Sequence, residues 1–509
     1  MDAAAGEEHD GEVRMKNHLA QDLHVAFEGP KGANNKARGN APGNKVPQDK
    51  LTLKGRHNAG DGHTIIAPNS GRKTTRVRIS WGVAPGFIMR RLSGATGSSS
   101  FLVSLLFPSR LYLNLVAAWP RCATTATVWV VFSFCACSAL ANPAMPIHFL
   151  RTPLGGLQPQ AVVDASGTVH LVYLHGDPKA ADVFYARRIP GRTDFSQPIR
   201  INSQSGSAIA IGTVRGAQLA LGRNNRVHVV WNGSQPATDP GAKGTPLLYA
   251  RLDEAGKAFE AQRNLMTSTM NLDGGGSVAA DHAGNVYAVW HAHLRTGPDD
   301  EIHRGVYVAY SKDDGKTFTP ETQVDPQKTG VCGCCGLKAA VDDRGDLAIV
   351  YRSADEAGNR DSMLLVSGDR GLTFQSLLLG NWRSSTCPMS TPALSEGPEH
   401  SLLAMWETQG QVFRRLIFPD HPIQSPAAVS ATGNPGSRKH PVLAFNPANG
   451  PHLLIAWVEG TGWEKGGSLA WECIDLKSGS SATGSRPGIP VWGLTAAIPE
   501  PDGSFTLMY

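Results

Sequence analysis

The sequence predicts an all-β fold built from repeated four-stranded sheets. Three observations carry that expectation. A phrase made of a turn residue, a β-rich run and a closing aromatic recurs seven times. A strand–turn–strand phrase follows the aromatic in the first four units. No amphipathic helical period of useful length interrupts the series.

The first phrase appears as GTVHLVY to Tyr173, NRVHVVW to Trp231, GNVYAVW to Trp290 and GDLAIVY to Tyr351. It returns as HSLLAMW to Trp406, PHLLIAW to Trp457 and GSFTLMY to Tyr509. The spacings are 58, 59, 61, 55, 51 and 52 residues. A shorter apolar run precedes each phrase, as in QAVVD, AQLALG, SVAAD and KAAVD, with a turn signal between the two. The second phrase reads VFYARRIPGRTDFSQPIRI, LLYARLDEAGKAFEAQRNL, VYVAYSKDDGKTFTPETQV and MLLVSGDRGLTFQSLLL. Each unit therefore holds four short antiparallel strands. Radial repetition of such sheets, a β-propeller, removes unpaired edges. A β-sandwich would not explain so long a period. Residues 146–150 (PIHFL) resemble the last strand of a unit and are expected to pair with the C-terminal hairpin. The repeat count allows seven blades.

Charge divides the chain. The formal net charge is +5 over 509 residues. Residues 1–121 hold 17 Lys+Arg and 9 Asp+Glu, residues 122–141 hold none, and 142–509 hold 31 and 34. The basic excess thus lies outside the repeats, so no nucleic-acid partner is expected. Residues 1–121 read as a disordered basic leader, because up to about residue 88 they show no sustained period. Residues 122–141 read as a signal peptide. The run ATVWVVFSFCACSALA follows Arg121 and ends in a small-x-small pattern, Ala139-Leu140-Ala141. It is short for a membrane span. Its position suggests a true start near Met89 or a little later. Acylation at Cys137 is the weaker alternative, since Phe134 stands where Leu is preferred. The expected location is periplasmic or secreted, with no stable membrane span and a monomeric state. Residues 142–509 are then the propeller.

Two turns share a tight pattern: Ser311, Asp313, Gly315, Thr317 and Phe318, then Ser367, Asp369, Gly371, Thr373 and Phe374. A carboxylate can accept turn N–H groups, Gly permits positive φ, and the aromatic can pack between sheets. Such turns brace blades and do not catalyse. LDEAGKAF (252–259) is a degenerate third copy. The pattern S-x-D-x-G-x-T-F is the Asp box, and residues 145–509 resemble the sialidase-like, or BNR-repeat, propellers. The resemblance implies six blades and an exo-glycosidase of the exo-alpha-sialidase kind acting on acidic glycans, free or on glycoproteins. Asp-box propellers also include binding proteins. Sialidases carry three arginines, a Tyr nucleophile with a Glu partner, and an Asp acid/base. Arg188-Ile189-Pro190 matches the first-arginine signature only superficially, because it falls in a strand–turn slot.

In a propeller, the loop from second to third strand and the loop between blades open on one face. The residues just after each blade aromatic should ring that mouth: Leu174-His175, Asn232-Gly233, His291-Ala292-His293, Arg352-Ser353, Glu407-Thr408 and Val458-Glu459. The variety at this repeat position suits acid/base and anion-binding work. Arg352 is the candidate anion contact, and Glu407 with Glu459 the candidate carboxylate pair. Asp355 and Asp361 follow Arg352 as further catalytic candidates. His175, Asn232, His291, His293 and Arg360 are candidates for substrate binding.

Five cysteines fall in the propeller: Cys332, Cys334, Cys335, Cys387 and Cys473. The first three precede one innermost strand, and Cys387-Pro388-Met389 precedes the next. Two such loops can meet. A disulfide from Cys387 to one of the three is the default in an exported protein. A copper or zinc site using these thiolates with Met389 is the alternative. The CxCC and CPM pattern looks like one found in an exported branch of the sialidase-like propellers and stands outside the sialidase catalytic set. The competing function is therefore a non-catalytic propeller that binds carbohydrate, protein or metal at a cysteine-rich mouth.

Overall fold

The computed structural model describes residues 145–509 apart from 213, 238–243 and 327–328, together with three strands between 87 and 117. The leader before residue 87 and the signal segment lie outside the described residues. The chain divides into two units, Met1–Phe134 and Cys135–Tyr509. In the first unit, strands Phe87–Ser93, Ser99–Leu106 and Tyr112–Ala117 form one antiparallel sheet.

The second unit is a seven-bladed β-propeller. The first blade holds Leu157–Val163, Val169–Asp177, Ala180–Arg188 and Ile199–Arg200. The second holds Gln218–Leu221, Val227–Asn232, Leu247–Arg251 and Arg263–Asn264. The third holds Ser277–Ala280, Val286–Leu294, Gly305–Ser311 and Thr322–Gln323, with Thr269–Met270 added beside its second strand. The fourth holds Lys338–Val341, Leu347–Arg352, Ser362–Ser367 and Gln375–Gly380. The fifth holds Ala393–Glu396, Leu402–Thr408, Gln411–Ile417 and Val429–Ser430. The sixth holds Arg438–Asn446, His452–Glu459, Gly467–Asp475 and Ser481–Ile489.

The seventh blade joins both ends of the unit. Ala496–Pro499 pairs with Phe505–Met508, which pairs with Ile147–Leu150. The expected closure is present, but its last pairing is parallel, Phe505 opposite Ile147 and Met508 opposite Leu150. Each innermost strand packs on the next, and that of the seventh blade packs on that of the first. The blade number is seven, not the six implied by resemblance. The C-terminal hairpin needs only one borrowed strand to make a further sheet.

Burial explains the sequence pattern. Second strands such as Val227–Asn232 and Leu347–Arg352 are buried throughout, because a neighbouring blade covers each face. Their sequences read as continuous apolar runs. Innermost strands alternate, as in Lys338–Val341 and Ala496–Pro499, because every other residue is less enclosed. The core is a ring of seven clusters, one between each pair of blades. Tyr287 and Val289 meet Ile349 and Tyr351, for example, and Leu171 and Tyr173 meet Ile498 and Met508. The repeated aromatics Tyr173, Trp231, Trp290, Tyr351, Trp406 and Trp457 are all at most 2% exposed.

The two Asp-box turns share one hydrogen-bond pattern. Thr317 donates from N and Oγ1 to Asp313, at 2.8 and 2.7 Å, and Ser311 Oγ donates to Asp313 at 2.8 Å. Asp369 receives Thr373 and Ser367 in the same way. Gly315 and Gly371 have φ of 76° and 83°, the left-handed region that favours glycine. Phe318 packs edge-on against Tyr249, ring centres 4.9 Å apart, and so ties the third blade to the second.

Candidate functional site

The mouth is held together by bonds from one strand end to the next inter-blade loop or the next strand end. Asn232 Nδ2, at the end of a second strand, donates to the carbonyls of Asp273 and Gly274 at 3.2 and 2.9 Å. His291 Nε2 lies 2.9 Å from the Cys335 carbonyl. Arg352 Nη2 reaches Glu407 through the carbonyl at 2.5 Å and through Oε2 at 3.2 Å. The segment Val331–Gly336 is the hub. Cys332 N donates to the Arg352 carbonyl, Gly333 N to Glu301 Oε1, and Gly336 N to the Ser390 carbonyl.

Among the candidate catalytic residues, Arg352 is engaged through both terminal nitrogens. Besides Glu407 it donates to the Arg360 carbonyl at 2.7 Å, and its guanidinium sits 5.1 Å from the Trp382 ring centre. Glu407 is 1% exposed and accepts the Gly410 N–H at 2.9 Å. Burial pushes its carboxyl above the ordinary range, with Arg352 pulling the other way. Glu459 is more open and pairs with Arg438 at 3.1 Å and with Trp457 Nε1 at 2.8 Å. Glu407 and Glu459 thus each hold a different arginine. Asp355 caps its own turn through Asn359. Asp361 accepts the Trp382 N–H at 2.8 Å and so sets the ring beneath Arg352.

The binding candidates divide likewise. His291 donates from Nε2 to the Cys335 carbonyl, so its Nδ1 is the acceptor facing Arg304 Nη1 at 3.3 Å. Burial, with Arg304 beside it, lowers its pKa to about 3, so it stays neutral. His293 pairs with Asp299 at 3.2 Å. Arg360 Nη2 pairs with Glu301 at 2.6 Å. His175 is exposed and lies edge-on to Phe184.

The structure adds residues that the repeat position did not nominate. Arg215, in the loop before the second blade, donates to Asp273 Oδ1 at 2.6 Å and to its carbonyl at 2.8 Å. Arg304 immediately precedes the third strand of the third blade. It is buried and donates to the Asn271 carbonyl at 2.8 Å. A Cβ on Gly333 would lie 3.3 Å from Arg304 Nε and 3.4 Å from Asp273 Oδ2, so glycine lets these groups approach the cysteine loop. The buried Nε atoms of Arg304 and Arg360 have no hydrogen-bond partner among the described residues. Trp463, on a mouth loop of the sixth blade, is 56% exposed. A Cβ on Gly212 would lie 3.1 Å from Arg215 Nη1 and 3.5 Å from the Trp463 ring, which places the two side by side. A signal for these residues existed. The inter-blade loops open on the same face as the strand ends, and Arg215 and Asp273 sit in them.

Cys334 and Cys387 form a disulfide, Cα atoms 6.6 Å apart, while Cys332, Cys335 and Cys473 are buried thiols. The sulfurs of Cys332, Cys334 and Cys335 lie within 4.8 Å of one another, close enough to ligate one ion. With Cys334 and Cys387 bonded, only Cys332 and Cys335 of the four remain as thiols, so the full thiolate set for copper or zinc needs that bond reduced. Met389 is half-buried beside Pro388.

Fold and site define a seven-bladed propeller with an arginine- and cysteine-lined mouth. No protein-family model and no curated protein matches the chain. Solved structures with a similar fold include the Hadza microbial sialidase Hz136, at 13% identity and a TM-score of 0.39, covering 64% of this chain and 67% of that one. Trypanosoma rangeli sialidase matches at 12% and 0.41, covering 62% and 53%, so this chain spans about half of it. The alpha-L-arabinofuranosidase Arb93A from Fusarium graminearum matches at 11% and 0.41, covering 66% and 98%. No helix among the described residues is long and apolar enough to cross a membrane.

Proposed function

We propose that this chain is an exported propeller that binds acidic glycans at its mouth. One observation carries the reading: the guanidinium groups of Arg304 and Arg360 flank the cysteine loop, each with a buried Nε that has no partner among the described residues. A buried N–H without an acceptor is costly, and an anionic ligand would satisfy it with a charge-assisted bond. Arg215 adds a third cation beside Asp273. The exposed Trp463, side by side with Arg215, offers a flat apolar face for a sugar ring. The test is calorimetric titration of the purified propeller with a sialylated oligosaccharide and its neutral parent. Binding of the acidic sugar alone, weakening as salt rises, supports the reading. Equal binding of both, or of neither, sinks it.

Hydrolysis is the second reading, and Glu407 favours it. Its raised pKa suits a general acid in glycoside cleavage. Both of its oxygens are already engaged, by Gly410 N and Arg352. Catalysis therefore requires Glu407 to break one of these bonds and reach the glycosidic oxygen. Turnover of a fluorogenic sialoside that is lost in Glu407→Gln supports this reading, and absence of turnover leaves the binding module.

A further inference from the structure

The three sulfurs beside Cys387 form a file. Cys332 Sγ lies 3.4 Å from Cys334 Sγ, which is bonded to Cys387, and 3.5 Å from Cys335 Sγ. Cys332 and Cys335 are buried at 0 and 1% exposure, Cys334 is half-buried and Cys387 is exposed. The Cys332 thiol thus touches both Cys334 and Cys335, and of the four residues only Cys387 is exposed. Neither the glycan reading nor a brace requires this. A brace needs one bond, not two buried thiols stacked on it.

We propose that this file is a thiol–disulfide exchange site that moves a disulfide between the surface pair Cys334–Cys387 and the buried pair Cys332–Cys335. In the first step the Cys332 thiolate attacks Cys334 Sγ, the Cys332 proton ending on the sulfur that leaves. The Cys332–Cys334 bond forms, the Cys334–Cys387 bond breaks, and Cys387 leaves as a thiol. In the second step Cys335 attacks Cys332 Sγ, its proton passing to the sulfur that leaves. The Cys332–Cys335 bond forms and Cys334 leaves. Two thiols are lost inside and two are gained at the surface, so no outside oxidant or reductant is consumed. The surrounding charge assists. Arg352, whose carbonyl accepts the Cys332 N–H, brings a positive charge to this loop, and a nearby cation favours a thiolate. The product is a dithiol with Cys387 at the surface, fit to reduce a disulfide on another exported molecule.

The test is mass-spectrometric mapping of the native protein incubated with iodoacetamide and no reductant. Exchange predicts that Cys387 and Cys334 become alkylated with time. The peptide containing Cys332 and Cys335 should lose two hydrogens in step. Cys332→Ser should abolish labelling of Cys387. Cys335→Ser should leave Cys387 labelled and trap Cys332 bonded to Cys334. Circular dichroism shows whether each variant is folded, and mapping of the wild-type protein stands without them. Persistence of the Cys334–Cys387 link in the wild-type protein, with Cys332 and Cys335 still unlinked, overturns the proposal.

Discussion

At the scale of single residues, the mouth is a set of arginines, most of them paired with carboxylates, as Arg352 is with Glu407 of the next blade and Arg360 with Glu301 of the preceding one. Arg352 and Glu407 show what this arrangement costs. Both are buried, and each satisfies the other while also bonding backbone. Glu407 has a raised carboxyl because burial outweighs the help of Arg352. A carboxyl raised in the folded state favours folding when protonated, so its contribution is present at low pH and lost as pH rises through its folded value. Replacing Arg352 with Met leaves Glu407 without its cation and raises it further. We predict a loss of about 3–5 kcal/mol at neutral pH. That loss should shrink as pH falls and Glu407 takes up a proton, measured by urea unfolding across pH. A loss independent of pH would show that Glu407 is not the partner that matters. The sequence placed Arg352 and Glu407 at the mouth because both follow a blade aromatic. It did not show that they bind each other, because that contact joins strand ends 55 residues apart.

At the scale of elements, the repeated phrase marked second strands well, because strands covered on both faces must be apolar throughout. Innermost strands of four residues, such as Ser277–Ala280, carried a weaker signal. Outer strands of two residues were legible only where the strand–turn–strand phrase reaches them, as it does at Thr322–Gln323. The inter-blade loops were the largest loss. Arg215 has no periodic neighbours, and its role depends on where the loop is carried. The Asp-box turns, by contrast, were legible in full, because their bonds are local. Their carboxylates yield a pH prediction. For Asp369 the Thr373 hydroxyl and N–H, then Ser367, hold the carboxyl at about 2. For Asp313 burial works upward, yet the bonds from Thr317 and Ser311 bring it to about 2. A lowered carboxyl stabilises above its unfolded value of 3.8 and loses that contribution as pH falls towards 2. A Asp313→Asn, Asp369→Asn double variant should therefore lose less stability than the wild type over this interval, as read from thermal unfolding midpoints. Parallel curves would refute the local account of these turns.

At the scale of the whole molecule, seven clusters between blades make the core a ring with no centre, and the ring closes through four residues from its N-terminal end. Ile147–Leu150 pairs with Phe505–Met508, and Thr152 N and Tyr509 N extend the seam at 3.0 Å each. Deleting residues 145–150 should open the seventh blade and expose the edge of Phe505–Met508. The expected result is a lower midpoint and a less cooperative transition by differential scanning calorimetry. An unchanged transition would mean that the hairpin holds without the borrowed strand.

In the proposed function the mouth is an anion site that uses Arg304, with Trp463 as the sugar platform. The most direct test is calorimetric titration of a sialylated oligosaccharide into the wild type, Arg304→Gln and Trp463→Ala. Trp463 is exposed, so its removal should change stability by no more than about 0.5 kcal/mol. We predict that each variant weakens binding by about tenfold to a hundredfold, the loss of one charge-assisted bond or one stacked ring. Wild-type affinity in both folded variants would contradict the account.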